Sequence, residues 1–176
     1  MKIKQTTIET ERLVLRPIDL NDASTVQKFA GNYNVAKMTM NIPHPYEDGM
    51  AEAWIENQDK RWEEDELINF AIVNKHNNQL MGVVGLVGRE DKSGGIGYWI
   101  GEPFWGKGYC TKAFIDFCFK HLNIERLEAE YLVTNPASGR VMEKSGMIFK
   151  VTKTIEDRDG NDAKLNVYEI HRLEQL

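Results

Sequence analysis

The fold is decided by residues 98–109, which read Tyr-Trp-Ile-Gly-Glu-Pro-Phe-Trp-Gly-Lys-Gly-Tyr. An apolar run typical of a strand leads into closely spaced glycines, and the residues that follow have the apolar spacing of a helix. Gly106 and Gly108 permit backbone angles that other residues avoid, so successive N–H groups can point inward at the positive end of the helix dipole. This arrangement favours an anion site for a phosphate or pyrophosphate, and a plain helix-start turn is the alternative.

Two common phosphate-binding patterns fit this loop poorly. Gly101, Gly106 and Lys107 have the spacing of a P-loop, but Gly108 stands where a Ser or Thr must bind Mg²⁺. The dinucleotide-binding pattern fails because Thr111 stands where its third glycine belongs. A nucleotide-hydrolysing P-loop protein is therefore only a distant alternative.

Outward from the loop, hydrophobic periodicity predicts an α/β fold. Strands are predicted at residues 12–17, 69–73, 80–87, 94–101, 127–133, 148–155 and 165–173. Helices are predicted around residues 23–30, 48–58, 110–122 and 136–145, with Asp19 or Asn21 as a cap for the first and an irregular stretch at 31–47. Several antiparallel strands and one strand–helix–strand crossover indicate a single mixed, mostly antiparallel sheet with flanking helices, in one domain spanning residues 1–176.

Composition and charge limit the classes of function. The 176 residues carry 27 acidic and 22 basic side chains, a net charge of −5 that argues against nucleic acid as the main partner. No stretch approaches the roughly 20 apolar residues of a membrane helix, and the N-terminus lacks the apolar core of a secretion signal. Cys110 and Cys118 lie about 12 Å apart on one predicted helix, beyond disulfide reach. A cytoplasmic protein with reduced thiols and no membrane partner is the prediction.

Two sequence blocks carry a resemblance to a known family. The first is residues 97–113, Gly-Tyr-Trp-Ile-Gly-Glu-Pro-Phe-Trp-Gly-Lys-Gly-Tyr-Cys-Thr-Lys-Ala, and the second is residues 135–149, Asn-Pro-Ala-Ser-Gly-Arg-Val-Met-Glu-Lys-Ser-Gly-Met-Ile-Phe. In this order and spacing, they resemble the GCN5-related N-acetyltransferases, the GNAT superfamily. The branch that the chain resembles most contains the ribosomal-protein N-terminal (alanine and serine) acetyltransferases, whose first strand looks like residues 10–17. Pro103 and Met147 depart from the residues that the superfamily often has there.

The resemblance implies where acetyl-CoA binds as cosubstrate. In this family it lies between two adjacent parallel strands that splay apart, here the strands that end at Gly101 and Val133. The splay exposes backbone N–H and C=O groups to the pantetheine arm, and the loop amides surround the pyrophosphate. The implied cofactor-binding residues are Trp99, Ile100, Trp105, Gly106, Lys107, Gly108, Tyr109, Cys110, Thr111 and Asn135.

The resemblance also implies catalytic residues. Ser138 matches a serine that this branch places near the CoA sulfur, where it can protonate the departing thiolate. Glu102, at the end of the central strand, is our choice for the base that takes the proton of the amine. Helix capping is the alternative for Asn135 and Ser138, and a loop carboxylate beside a helix N-terminus is the alternative for Glu102. Glu128 and Glu130 form either an acidic wall near the acceptor or a solvated face of the sheet.

The acceptor implied by the branch is a primary amine, specifically a protein N-terminal α-amine. A small cationic amine, such as a polyamine or an aminoglycoside, stays open and agrees with the negative net charge. A non-catalytic CoA-binding sensor is the alternative from a different class. Homodimers are common in this branch, so a homodimer is a further expectation. The histidines and cysteines lack metal-ligand spacing, so no metal is expected.

Overall fold

One mixed sheet organises the protein in the computed structural model, which describes residues 6–63, 67–107, 111–157 and 160–173. In chain order the strands are β1 (Ile8–Glu9), β2 (Leu13–Pro17), β3 (Leu67–Asn74), β4 (Leu80–Glu90), β5 (Ser93–Ile100), β6 (Arg126–Leu132), β7 (Ile148–Glu156) and β8 (Asp162–His171). They stand in the order β1-β2-β3-β4-β5-β6-β8-β7. Every neighbouring pair is antiparallel except β5 and β6, which are parallel. The predicted α/β fold is confirmed.

Helices flank both faces of this sheet. They are α1 (Ala23–Ala30), α2 (Tyr33–Ala36), α3 (Met50–Glu63), α4 (Lys112–His121) and α5 (Pro136–Lys144). Two 3₁₀ turns, Leu20–Asp22 and Glu102–Phe104, precede α1 and follow β5. The connection between the parallel strands β5 and β6 runs through α4, as a parallel pair requires a crossover. Within the part of the chain that the structure describes, no helix combines the length and the apolar character needed to cross a membrane.

The parallel strands β5 and β6 pair over only a short distance before they separate. Their last paired positions are Ile96 and Ala129. Beyond these positions β5 still pairs with β4 as far as Ile100, and β6 still pairs with β8 as far as Leu132. A gap therefore opens between two strands that remain held on their outer sides. This is the splayed parallel pair that the sequence predicts.

The larger part of the core lies on the face covered by α4 and α5. Phe114 of α4 is fully buried, and its ring centre lies 5.9 Å from that of Phe70 on β3. Phe117, one turn further along α4, lies 5.4 Å from the same ring of Phe70. Aromatic side chains of this kind bury about 150–250 Å² each, so the three rings hold α4 firmly against the sheet. The N-terminus of α4, which follows the glycine loop, is thereby fixed in place.

The opposite face is covered by α1 and α3 and has smaller core side chains. Trp99 of β5 packs at the border of this cluster, whereas its neighbours Tyr98 and Ile100 pack on the α4 face. This alternation follows from strand geometry, in which successive side chains point to opposite faces. The buried members of the α1–α3 cluster include Val26, Ala30, Ala51, Ile55 and Ala71.

An ion pair at the end of β2 fixes the start of α1. Arg16 donates two hydrogen bonds to the carboxylate of Asp22, at 2.7 and 2.8 Å, and Asp22 is buried. The hydrogen bonding to Asp22 outweighs desolvation and raises the pKa of Arg16. Asp19, one of the two predicted caps, accepts from the Asn21 N–H and caps the 3₁₀ turn. Both contacts position α1, which lines the cleft described below.

The structure differs from the sequence prediction mainly in its shortest elements. The two-residue strand β1 and the one-turn helix α2 are absent from the prediction, and α2 lies in the stretch expected to be irregular. Neither is long enough to show a hydrophobic period, and α2 depends on Asn32, whose side chain caps it by accepting from the Asn34 N–H. The ends of the predicted strands agree with those observed to within about three residues.

Candidate active site

A cleft of about 1300 Å³ opens where β5 and β6 separate. Its walls come from the end of β5, from β6, from the first turns of α5 and from the loop after α2. Val26 of α1 and Trp54 of α3 also line it, while Ser138 and Val141 line it from α5 on the other face of the sheet. Because both faces contribute lining residues, two substrates can approach one point from opposite sides.

The edge of β5 presents hydrogen-bonding groups to this gap. The Gly101 N–H donates to the Met81 carbonyl on β4 at 2.8 Å. Residues along an antiparallel strand direct their peptide groups alternately to its two edges, so those of Tyr98 and Ile100 face the gap. The peptide groups of Trp99 face β4 instead, although its side chain lines the cleft. Of the two predicted backbone contacts, the geometry therefore favours Ile100 over Trp99.

The edge of β6 also presents backbone hydrogen-bonding groups to the gap. The Val133 N–H donates to the Lys164 carbonyl at 2.9 Å, which directs the peptide groups of Val133 toward β8. By the same alternation, those of Glu130 and Leu132 face the gap. An extended ligand that carries amides can pair with such edges in the way that an added strand does.

The loop after β5 brings three of the predicted cofactor residues to the cleft. Trp105, Gly106 and Lys107 all line it. Gly106 has a φ of +73°, a region that favours glycine. The Trp105 indole N–H donates to the Ile100 carbonyl at 2.7 Å and ties the loop to the gap edge of β5. Lys107 Nζ lies 5.5 Å from the centre of the Phe104 ring, a distance typical of a cation–π contact.

Of the remaining predicted loop residues, 108–111, only Thr111 lies among the described residues. Gly108, Tyr109 and Cys110 lie outside the described residues, so their contacts with the cosubstrate stay predictions. Thr111 is buried, and its hydroxyl lies 2.8 Å from the Ser145 hydroxyl at the C-terminal end of α5. The hydroxyl contact with the cosubstrate that the resemblance implies for Thr111 stays a prediction.

The first turn of α5 brings Asn135 and Ser138 to the cleft. Asn135 Oδ1 accepts from the Ser138 N–H at 3.4 Å and caps α5, which is the alternative that the sequence left open. Asn135 Nδ2 also donates to the Met38 carbonyl at 3.5 Å, in the loop after α2. Ser138 Oγ lies 2.6 Å from the Tyr98 hydroxyl of β5. Asn135 therefore caps α5 and lines the cleft at the same time.

Glu102, the predicted base, lies beside the cleft without lining it. Its Oε2 accepts from Asn32 Nδ2 at 2.8 Å, and its Oε1 accepts from Asn34 Nδ2 at 3.0 Å. The carboxylate therefore connects the end of β5 with the start of α2. This geometry favours a structural role for Glu102 over contact with an acceptor amine.

Glu128 and Glu130 line the cleft from β6, and both belong to ion pairs. Lys150 of β7 lies 2.7 Å from Glu128 and 2.9 Å from Glu169. Hydrogen bonds to Glu128 and then Glu169 raise the pKa of Lys150, and its hydrogen bond in turn lowers the pKa of Glu169. Lys153 forms an ion pair with Glu130. Arg126 lies 3.2 Å from Glu128 and adds a third cation, so the network has the character of a solvated sheet face with paired charges.

Comparisons with known proteins decide the family. The family model described as an acetyltransferase (GNAT) domain matches residues 12–148. The chain belongs to the GNAT acetyltransferase family. The uncharacterized N-acetyltransferase p20 of Bacillus licheniformis is 31% identical over 153 residues, which cover 81% of this chain and 85% of that protein. This GNAT protein is accordingly an acetyl-CoA-dependent acyltransferase.

Solved structures share the GNAT fold. A ribosomal-protein-S5-alanine acetyltransferase from Vibrio fischeri has a TM-score of 0.80 at 20% identity, over 94% of this chain and 96% of that one. A spermidine N-acetyltransferase from Vibrio cholerae, in complex with CoA and spermine, has a TM-score of 0.76 at 20% identity, over 92% of this chain and 96% of that one. At these identities the likeness establishes the fold and leaves the acceptor open.

Three residues that line the cleft of this GNAT protein are not among the site residues predicted from the sequence. Arg140 and Lys144 lie one turn apart on α5 and bring positive charge to the cleft of an acidic protein. Their four-residue spacing inside a predicted helix is a signal that places them on one face. Tyr98 is the third, and nothing in the sequence indicates its contact with Ser138, which lies 40 positions away.

Proposed function

We propose that this GNAT protein transfers the acetyl group of acetyl-CoA to the α-amine of a protein N-terminus. The observation that carries the proposal is the gap between β5 and β6. Its two hydrogen-bonding edges suit an extended donor, and its opening to both faces admits a separate acceptor. A ribosomal-protein-S5-alanine acetyltransferase of the same fold is the precedent for this acceptor.

In this proposal the backbone holds most of the cosubstrate. The pantetheine amides pair with the gap-facing N–H of Ile100, because the Ile100 carbonyl already accepts from the Trp105 indole. The pyrophosphate lies on the loop amides that precede α4, where the helix dipole favours an anion, and Lys107 adds opposite charge. Asn135 contacts the pantetheine arm from the start of α5.

The chemical step is attack by a neutral amine on the thioester carbonyl carbon. The C–N bond forms, the C–S bond breaks, and the amine releases its proton to water in the open cleft. A backbone N–H directed at the developing oxyanion lowers the barrier by about 3–4 kcal/mol. Ser138 gives its hydroxyl proton to the departing thiolate and is then reprotonated, so that the proton released by the amine balances the one taken by the thiolate. Since α-amines titrate near pH 8, a large fraction is neutral there without a strong base.

A small cationic amine is the second candidate acceptor. Glu128 and Glu130 place two carboxylates on the cleft wall, and a spermidine N-acetyltransferase has the same fold. Lys150 and Lys153 offset these charges, which is why the protein N-terminus ranks first.

Thiol release from acetyl-CoA, measured against a panel of amines, tests the proposal. The panel contains peptides that begin with Ala or Ser, the same peptides with blocked N-termini as matched controls, spermidine and an aminoglycoside. We expect turnover with the free peptides and none with the blocked ones. Turnover with spermidine alone would select the second candidate.

A thermal-shift measurement with CoA and with Mg-ATP tests the cosubstrate separately. CoA at 100 times its dissociation constant should stabilise the fold by about 2.7 kcal/mol. Stabilisation by CoA without turnover of any amine would identify a CoA-binding sensor. A response to Mg-ATP and none to CoA would contradict the proposal as a whole.

A further inference from the structure

Tyr98 reaches across the gap to the residue that we propose as the acid. It lies on β5 just beyond the last pair with β6, and its ring packs on the α4 face. Its hydroxyl lies 2.6 Å from Ser138 Oγ and donates to the Ser138 carbonyl oxygen at 3.1 Å. Both residues line the cleft. A side chain from one edge of the gap thus meets the first turn of the helix on the other side.

The two hydroxyls can share their hydrogens in two ways. If Ser138 donates to Tyr98, the Tyr98 hydrogen goes to the Ser138 carbonyl, and no serine hydrogen remains for a ligand. If Tyr98 donates to Ser138 Oγ, with the carbonyl as a second and more distant acceptor, the serine hydrogen is left to point into the cleft. The 2.6 Å separation has the length of a strong O–H···O hydrogen bond. Only the second arrangement lets Ser138 act as a donor toward sulfur.

We propose that Tyr98 is a positioning residue for acetyl transfer, donating to Ser138 Oγ so that the serine hydrogen faces the CoA sulfur. This inference rests on the proposed function. As the thiolate takes the Ser138 proton, Ser138 takes the Tyr98 proton along their hydrogen bond. The phenolate regains a proton from water, which has received one from the amine. The number of protons is therefore unchanged over the reaction.

Acidity explains why a serine at this position needs a partner. A lone serine that gives up its proton becomes a strongly basic alkoxide, whereas a phenol titrates near pH 10 and a thiol near pH 8.5. With a tyrosine behind the serine, the negative charge passes from a thiolate to a phenolate of similar basicity.

Binding of CoA and of desulfo-CoA, measured by titration calorimetry at pH 9, tests the contact without turnover. At this pH a fraction of the thiol is ionised, and a hydrogen bond to a charged group makes CoA bind about tenfold more tightly than desulfo-CoA. We expect Ser138→Ala and Tyr98→Phe each to bring this ratio close to one. The double variant should add nothing, because the two hydroxyls act as a unit.

Turnover provides the second readout. Tyr98→Phe should lower kcat by about 10- to 100-fold and leave the KM for acetyl-CoA within about twofold of its original value. Tyr168→Phe is the matched control, because it removes a tyrosine hydroxyl that donates to Glu143 on α5 at 3.0 Å and that does not itself line the cleft. This control should keep both the binding ratio and kcat.

A tenfold ratio retained in Tyr98→Phe, or a ratio near one in the unmodified protein, overturns the inference. An equal loss of affinity for both ligands also overturns it, because Tyr98 would then only seat the cosubstrate. If no amine is acetylated, the proposed function fails, while the binding ratio still decides the part played by Tyr98. Should Tyr98→Phe not fold, 3-fluorotyrosine in its place keeps the ring and strengthens the donor. It should raise the ratio, and an unchanged ratio would overturn the inference.

Discussion

Glu102→Gln separates the two roles that the carboxylate of Glu102 can have. The wild-type carboxylate accepts from Asn32 at 2.8 Å and from Asn34 at 3.0 Å. The Gln side chain keeps one acceptor oxygen for Asn32, and its new NH₂ group can bond Asn34 only after the Asn34 amide turns to present its oxygen. Asn32 cannot turn its amide without losing the α2 cap, because its Oδ1 accepts from the Asn34 N–H at 2.8 Å.

The expected loss in the free energy of unfolding is about 1.5 kcal/mol. A hydrogen bond to a charged group contributes about 1.5–3 kcal/mol, and a neutral one about 0.5–1.5 kcal/mol. The variant replaces two hydrogen bonds to a carboxylate by two neutral ones. Glu102 is only half-buried, which places the loss at the low end. In a protein of this size, 1.5 kcal/mol lowers the Tm by about 3–6 °C.

Calorimetric melting gives the Tm, and thiol release at saturating acetyl-CoA gives kcat. Because Glu102 does not line the cleft, we expect kcat to stay within about threefold of the wild-type value. Asn34→Ala is the matched control, since it removes one of the two hydrogen bonds of Glu102 from the other side and should lower the Tm similarly. The double variant should lose less than the sum of the two single variants.

The opposite pattern would refute this reasoning. A loss of kcat by about 100-fold or more with an unchanged Tm is the signature of a general base, because a positioned acid or base contributes at least that factor. The carboxylate would then have to leave its two asparagine partners during the reaction.

Three further changes test the loop and the core. Gly106→Ala places an alanine at φ +73°, so we expect about 1 kcal/mol lower stability and weaker CoA binding; an unchanged CoA affinity in titration calorimetry would contradict the role of the loop. Phe114→Ala empties a fully buried site and should lower the unfolding free energy in urea by about 3–5 kcal/mol; a loss under about 1 kcal/mol would contradict the packing. Burial raises the pKa of Cys118 from 9.0 to about 12. The unfolded chain therefore loses this proton first, and stability falls as pH rises above about 9, by up to about 1.4 kcal/mol per pH unit; equal alkaline slopes in the wild type and Cys118→Val would contradict this.

Local patterns were sufficient for the longer elements of the fold. The apolar face of α4 was predicted from its spacing, and Phe114, Phe117 and Cys118 are indeed buried. The splayed pair followed from the family resemblance rather than from periodicity. β1 and α2 could not be predicted, because two residues or a single turn carry too little pattern to distinguish them from a loop.

In the candidate site too, residues of one local motif could be predicted from the sequence, and contacts between distant residues could not. Asn135 and Ser138 were predicted because they lie in one motif and one helical turn, so a local sequence block places both. The environment of Glu102 could not be predicted, because Asn32 is 70 positions away and is brought close only by the packing of α2 on the end of β5. Sequence shows that a carboxylate follows the strand, and tertiary structure decides which groups it contacts.

The gap between β5 and β6 also divides the sheet into two continuous parts of the chain. Strands β1–β5 come from residues 8–100, and β6–β8 come from residues 126–171. The backbone ladder between these parts covers only residues 93–96 of β5, so a small rotation of one part against the other changes the width of the gap. A ligand bound along both edges restricts that rotation. Slower hydrogen exchange of the amides at the end of β5 and in β6 would then report occupancy directly, whatever the acceptor.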